Sequence, residues 1–369
     1  MLGEDRISEA RAVGSEPARE RPIASRPSLL LACECSSIVN FAMEQNGVPI
    51  VHEVAVRNEG PAAVAGAVIE VESGPGLSEL LSLPVPELKP GQEHRVSPVD
   101  IRLLPGRLRA VVEAERGEIR CRVVRGGVTL AERRNDVRIL AFNEWPGQEA
   151  PPGLLASFVL PNHPAVATLL QGVRTNLVSA GLSDALDGYQ GGGRERVREQ
   201  AKALYAAVQS LGIGYVVAPP SFEVSGQKIR LPDAVLKDRL GCCLDLSVLF
   251  AAALELMGIA PVLVLLRGHA FVAAWLTDDR FSSGVIDDVA RLRTQAQSGN
   301  LLLLETTAVT RAQPVAFESA FESAYQRLGD DAAFEWAVDV RALRTEYRPL
   351  SIRASPGPDA GELLPEAGA

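Results

Sequence analysis

GQKIRLPDAVLKDRLGCCLDLSVLFAAALELMGIAPVLVLLRGHAFVAAW, residues 226–275, decides the fold. Cys243 to Met257 is rich in Leu, Ala and Met and holds no Gly or Pro, which predicts a helix. Gly258 supplies a natural end for it, and Gly241 lets the chain turn into its start. A cysteine at that start meets the positive end of the helix dipole, which favours the thiolate, the nucleophilic form. Pro261 to Leu266 and Ala270 to Leu276 read as strands, with Arg267, Gly268 and His269 at their junction. A later apolar run, Leu301 to Leu304, leads into Glu305, Thr306 and Thr307. The order is therefore a thiol on a helix start, an imidazole beside a strand, and an acid after a later strand. Nucleophilic thiol chemistry needs these three types together: the imidazole takes the thiol proton and the carboxylate fixes its tautomer and orientation. Sequence spacing does not bring them together, so the fold must.

Working outward, the pattern from Ser28 to Phe142 is β. Val51 to Gly60, Val64 to Val71, His94 to Leu104, Leu108 to Ala114, Glu118 to Val124, Val128 to Ala131 and Asp136 to Phe142 are strand-like, with turns at Asn58-Glu59-Gly60, Gly74-Pro75-Gly76 and around Pro90. About seven to nine strands with turn signals every ten or so residues predict an immunoglobulin-like sandwich over residues 28–142. Residues 143–152, with Trp-Pro-Gly and Pro-Pro, read as a linker in which Trp145 can pack at a junction. Residues 153–353 form the thiol domain, with helices at Pro164 to Ser179 and Arg194 to Ser210, a short strand from Tyr215, and an amphipathic segment from Val289 to Gln297. Gly188-Tyr-Gln-Gly-Gly-Gly lacks the Lys-Ser/Thr of a phosphate loop and reads as a flexible loop near the site mouth. Asp287-Asp288 reads as charge at a helix N-terminus, and the Phe317, Phe321, Tyr325 stripe as core. Residues 1–27 and 354–369 are rich in Pro, Glu, Gly and other small or polar residues, and predict a disordered leader and tail.

The motifs resemble a known group. Gly-x-Cys-x-Asp at a helix start, a Gly-His-Ala strand and a later acid resemble the transglutaminase-like branch of the papain-like cysteine enzymes. Asn143-Glu144-Trp145, Phe158 to Pro164, Gly188-Tyr189-Gln190, Pro219 to Glu223, Gly226 to Arg230, Gly241 to Asp245, Gly268 to Phe271 and Glu305-Thr306-Thr307 together look like the N-terminal region of large bacterial DNA-helicase-related proteins. There the cysteine motif usually reads Gly-Thr-Cys-Leu-Asp, so the resemblance gives Cys243 the catalytic place and Cys242 that of the threonine. It implies an α+β fold: an immunoglobulin-like β-sandwich followed by a papain-like (transglutaminase-like) domain. It implies Cys243 as nucleophile, His269 as base and then acid, and Glu305 as the orienting acid where Asp or Asn is usual. Papain-like enzymes often carry an oxyanion-stabilising Gln upstream of the nucleophile, and Gln227 occupies such a position; holding the loop over the helix start is the plainer reading. No helicase motif accompanies these residues, which leaves the expectation of a stand-alone or split version.

Two functions stay open. One is a cysteine hydrolase or acyl transferase acting on a peptide or isopeptide bond of a protein or peptide substrate. The other is an inactive scaffold that docks a partner such as a separately encoded helicase or ATPase. Neither requires a cofactor. The chain has 369 residues, is 47% hydrophobic and 22% charged, and carries a net charge of −9. That acidity argues against direct nucleic-acid binding as the main role, because phosphate contacts need clustered Lys and Arg. No apolar run spans a bilayer and the first residues form no secretory signal, so a cytoplasmic location is expected. Five cysteines, two of them adjacent, fit a reducing compartment. Cys33-x-Cys35 has no partners at zinc spacing, and Cys121 reads as a small core residue.

Overall fold

A computed structural model describes residues 28–74 and 76–351. The expected leader and the expected tail both lie outside the described residues. The chain is α+β, with several sheets and helices between them.

The N-terminal half holds two sheets. Leu29–Cys35, Val51–Asn58 and Glu93–Val96 form a three-stranded antiparallel sheet. Ile38–Val39, Val128–Ile139, Glu115–Arg125, Val68–Gly74 and Leu81–Pro84 form a five-stranded one in that order, antiparallel except for the parallel pairing of Ile38–Val39. Several strands differ from the sequence expectation. Val128 to Ala131 and Asp136 to Phe142 are not separate: the charged residues between them stay in one strand, Val128–Ile139. Cross-strand ion pairs with Glu115–Arg125 hold that charged middle: Glu132 meets Arg120 and Arg134 meets Glu118. Gly126 and Gly127, both at positive φ, form the tight turn that joins Val128–Ile139 to Glu115–Arg125. The run from His94 to Leu104 keeps only Glu93–Val96 as strand, since Pro98 has no amide to donate to a ladder. The run from Leu108 to Ala114 is not a strand: Pro105 sits at the first position of a helix, Pro105–Arg109, where its missing donor costs nothing.

The C-terminal half is built on a five-stranded antiparallel sheet in the order Val285–Ile286, Phe334–Asp339, Pro261–Leu266, His269–Trp275, Leu301–Leu304. Pro261–Leu266 and Leu301–Leu304 are buried at every position, which explains their continuous apolar sequence: both faces are covered. Leu263, Leu265, Val272, Ala274, Leu302 and Leu304 point into the large core shared with helix Cys243–Leu256. Val262, Val264, Phe271, Ala273, Leu301 and Leu303 point into a second core with helix Val289–Gln297. Helices Pro164–Ser179 and Arg194–Ser210 form as the apolar spacing predicts and pack on the first face.

Residues 143–152, read as a linker, are built into the fold. Glu144–Trp145 pairs antiparallel with Gln227–Lys228, and the Trp145 ring is fully buried between Phe222 and Trp336. The N-terminal half also grips the far end of the chain, where Gln45 and Asn46 bond the backbone of Arg348, Pro349 and Ser351.

The Gly188 loop lies elsewhere than expected. The Tyr189 hydroxyl donates to the Trp275 carbonyl at 3.1 Å and accepts from the Ala260 amide at 2.8 Å. Trp275 is the last residue of the strand that His269 begins, about 20 Å away at the usual rise per residue. The loop is therefore pinned at the end of the sheet opposite His269, and it does not border the site mouth.

Candidate active site

Cys243 is the first residue of helix Cys243–Leu256, and Cys242 is its N-cap. The cap is reciprocal: the Cys242 sulfur accepts from the Asp245 amide at 3.5 Å, and the Asp245 carboxylate accepts from the Cys242 amide at 2.9 Å. Cys242 thus caps the helix through sulfur, a weaker acceptor than a hydroxyl oxygen. Asp245 is fully engaged, since Arg230 also meets it through its backbone amide at 2.8 Å and its guanidinium at 3.1 Å. The guanidinium offsets the negative charge that would otherwise oppose a thiolate two residues away. A Cys242→Ala substitution is expected to cost about 1 kcal/mol through the lost cap, whereas Cys242→Thr retains it; urea denaturation of both variants checks this.

His269 begins strand His269–Trp275 directly after the Arg267–Gly268 turn. Its Nε2 lies 2.8 Å from Glu305 Oε2. That leaves Nδ1 free to face the Cys243 thiol, whose hydrogen bond and charge are among the causes that raise the ring. Glu305 follows strand Leu301–Leu304, whose register sets Leu304 opposite Val272, and so arrives beside the start of the neighbouring strand. The carboxylate is held on every side. Oε1 accepts from the Thr307 amide at 3.0 Å and hydroxyl at 2.7 Å, and Oε2 also meets Arg327 Nε at 2.8 Å. Ser247, one turn into the Cys243 helix, bonds Thr306 at 3.2 Å and ties that helix to the turn that carries Glu305. The fold brings Cys243, His269 and Glu305 into one contiguous chain of contacts.

The electrostatics follow this geometry. A hydrogen bond from Cys242, together with the hydrogen bond and charge of His269 and the Ala270 amide, lowers the Cys243 thiol to about 5 against the opposing effect of burial. Burial works against a charged imidazole at His269, yet the hydrogen bonds and charges of Cys243 and Glu305 outweigh it and raise the ring to about 9. Burial likewise opposes the Glu305 carboxylate, and His269, Thr307 and Arg327 outweigh it and hold the acid down at about 2. The Cys242 thiol moves the other way, raised by its hydrogen bond to Cys243, by burial and by the Asp245 charge. At neutral pH this arrangement is a thiolate–imidazolium pair beside a neutral thiol, with the carboxylate ionised.

Gln227 is buried, and its amide nitrogen donates to the Cys242 sulfur at 3.1 Å. It therefore rests on the residue next to Cys243. Its carbonyl oxygen is buried without a hydrogen-bond partner among the described residues.

Tyr215 was not singled out by the sequence. Strand Gly214–Tyr215 runs parallel to Leu240–Gly241, which carries the tyrosine beside the thiol. Its phenol is raised to about 12 by burial, by the Cys243 charge and by a hydrogen bond with that thiol. Tyr215 is 43% exposed while Cys243 is fully buried. Arg327 was also missed: nothing in the spacing links it to Glu305. Among the described residues no group of three or more His, Cys, Asp or Glu side chains is arranged to hold a metal ion, and no helix is long and apolar enough to cross a membrane. Cys33 and Cys121 touch sulfur to sulfur at 2.8 Å, with Cys121 fully buried in the N-terminal core. Asp288 caps helix Val289–Gln297 through the Ala290 amide at 2.9 Å, as its position suggested.

No protein-family model matches the chain, and no curated protein does. Among solved structures, a family 76 glycoside hydrolase from a bovine Bacteroides thetaiotaomicron strain is similar at 10% identity over 56% of this chain, with a TM-score of 0.14. The match spans 46% of that enzyme's length, and a likeness this slight carries no argument about fold or activity.

Proposed function

We propose that this protein is a cysteine-dependent hydrolase or acyl transferase acting on peptide or isopeptide bonds of a protein or peptide substrate. The observation that carries the reading is the chain of contacts from Cys243 through the His269 ring to Glu305 Oε2 at 2.8 Å, starting at a helix N-terminus. The Cys243 thiolate attacks the carbonyl carbon, forming the C–S bond, and the developing oxyanion takes hydrogen bonds from helix-start amides or from Gln227. The His269 imidazolium gives its proton to the departing nitrogen as the C–N bond breaks, leaving a thioester. The now neutral imidazole removes a proton from the acceptor, water or an amine, which displaces the thiolate. Glu305 holds the ring through both transfers.

Activity then needs Cys243 deprotonated and His269 protonated. The thiol at about 5 and the imidazole at about 9 predict a rate that rises through the first pH and falls through the second, with the two limbs belonging to the coupled pair. Initial rates on a fluorogenic peptide and isopeptide panel from pH 4 to 10 check this. The direct test is an acid quench followed by mass spectrometry: an acyl adduct on Cys243, cleaved by hydroxylamine and absent in Cys243→Ala, is expected. A Cys243→Ala variant that retains full biological activity contradicts the catalytic reading. The complete burial of Cys243 favours the second reading, a scaffold that docks a separately encoded helicase or ATPase.

The arrangement of elements supports a finer description in the same terms: an immunoglobulin-like sandwich at 28–142, the joining segment 143–152 and a papain-like, transglutaminase-like domain at 153–353. A cytoplasmic setting without direct nucleic-acid contact belongs to this proposal.

A further inference from the structure

One segment, Phe222 to Arg230, touches three parts of the site. Arg230 meets Asp245, Gln227 meets Cys242, and the Glu223 carboxylate accepts from the Gly268 amide at 3.1 Å. Glu223 is 2% exposed, and Gly268 is the residue directly before His269. We infer that Glu223 is a positioning residue that fixes the Arg267–Gly268 turn and thereby the reach of the His269 ring to Cys243; this rests on the thiolate–imidazolium reading above.

The sheet alone holds His269 weakly. On one side its backbone pairs with Leu266, the last residue of the preceding strand. On the other side the ladder with Leu301–Leu304 begins only at Val272, so His269, Ala270 and Phe271 have no strand partner there. The ladder from Pro261–Leu266 to Phe334–Asp339 also slips between Leu265 and Leu266, directly beneath the turn. Besides the exposed Arg267–Glu335 ion pair, both backbone amides of the turn bond outside its own hairpin. Arg267 donates its amide to the Ala333 carbonyl at 2.7 Å, and Gly268 donates to Glu223. Gly268 sits at φ +69, in the left-handed region the turn requires, and its amide is aimed away from the hairpin at the carboxylate. A buried carboxylate receiving an N–H makes a bond roughly twice as strong as a neutral acceptor does, which suits an anchor at the loosest end of the strand.

Glu223 is itself rigidly carried. Its helix, Phe222–Ser225, starts from Ser221 at φ 54, and Phe222 is fully buried against Trp145. Gly147 lies under this segment so closely that an added Cβ would stand 2.5 Å from the Gly226 amide and the Val224 carbonyl. The residues read as a linker thus act as the floor that holds Glu223 against the histidine turn.

The test uses the full chain and reads the thiolate of Cys243, independently of any substrate. Absorbance at 240 nm is followed against pH for wild type, Glu223→Ala, Glu223→Gln and Glu223→Asp, each with the matching Cys243→Ser background subtracted. Glu223→Ala is expected to move the Cys243 transition upward by about one unit or more, because the imidazolium no longer stays on the thiolate. Glu223→Gln keeps an acceptor of the same reach and is expected to restore most of the wild-type curve. Glu223→Asp, one methylene short, is expected to behave like Ala, and it decides the matter if the Ala variant does not fold. Folded Ala or Asp variants with the wild-type transition overturn the positioning role. A wild-type transition in the ordinary thiol range instead overturns the thiolate–imidazolium reading on which it rests.

Discussion

Substituting His269 by Ala is expected to lower turnover by about 10⁴-fold and to return the Cys243 thiol from about 5 toward its ordinary range. The ring supplies both a hydrogen bond and a positive charge to the sulfur, and burial of Cys243 opposes the thiolate once both are gone. The Cys242 hydrogen bond remains in such a variant, as does the helix N-terminus, so part of the depression survives. Because the ring is largely enclosed and its loss leaves Glu305 bonded to Thr307 and Arg327, the fold is expected to persist. Single-turnover measurements at pH 7 on whichever peptide acylates the wild type, together with circular dichroism, separate lost chemistry from lost structure. Unchanged turnover in this variant would remove His269 from the mechanism.

Glu305→Ala is expected to be the more damaging substitution for stability, at about 3–5 kcal/mol by chemical denaturation. The carboxylate is 3% exposed and serves His269, Arg327 and Thr307 at once, so its removal leaves a buried imidazolium and a hydroxyl without their acceptor. The sign of its pH effect also follows. In the wild type the carboxylate helps raise His269 to about 9, against burial. Without it, burial dominates and the imidazolium is lost at lower pH, so the alkaline limb of the rate profile moves down. Glu305→Gln retains an acceptor for Thr307 but no charge, and is expected to show the same downward shift with a smaller stability loss. A Glu305→Gln profile that superimposes on the wild type would contradict the orienting and charging role assigned to this acid.

The site was legible in the sequence where one segment specified both element and chemistry. The unbroken Leu- and Ala-rich run after Cys243 fixed a helix, and with it the cysteine at a helix N-terminus. The apolar runs at Pro261–Leu266 and Leu301–Leu304 pointed to strands, which the fold covers on both faces, and Glu305 followed from the end of the second. What stayed hidden depends on contacts distant in sequence. Tyr215 reaches the thiol through a two-residue parallel pairing with no pattern of its own. Arg327 reaches Glu305 from a helix whose apolar stripe signals only core packing. Glu223 belongs to a motif whose role emerges only once the histidine turn folds against it. The Gly188 loop misled because glycines report freedom of the backbone, while a single hydroxyl, that of Tyr189, decides where the loop is fastened. In the N-terminal half, ion pairs kept a charged stretch inside one long strand, and a proline began a helix where alternation suggested a strand.

The proposed chemistry stands on Cys243 and His269 forming a thiolate–imidazolium pair in the folded protein. The most direct measurement is the rate of iodoacetamide alkylation at Cys243 against pH, with the modified peptide located by mass spectrometry. The expected rate rises through about 5 in the wild type and requires a far higher pH in His269→Ala. Alkylation that rises only near the ordinary thiol pKa, with the same profile in both proteins, would contradict it.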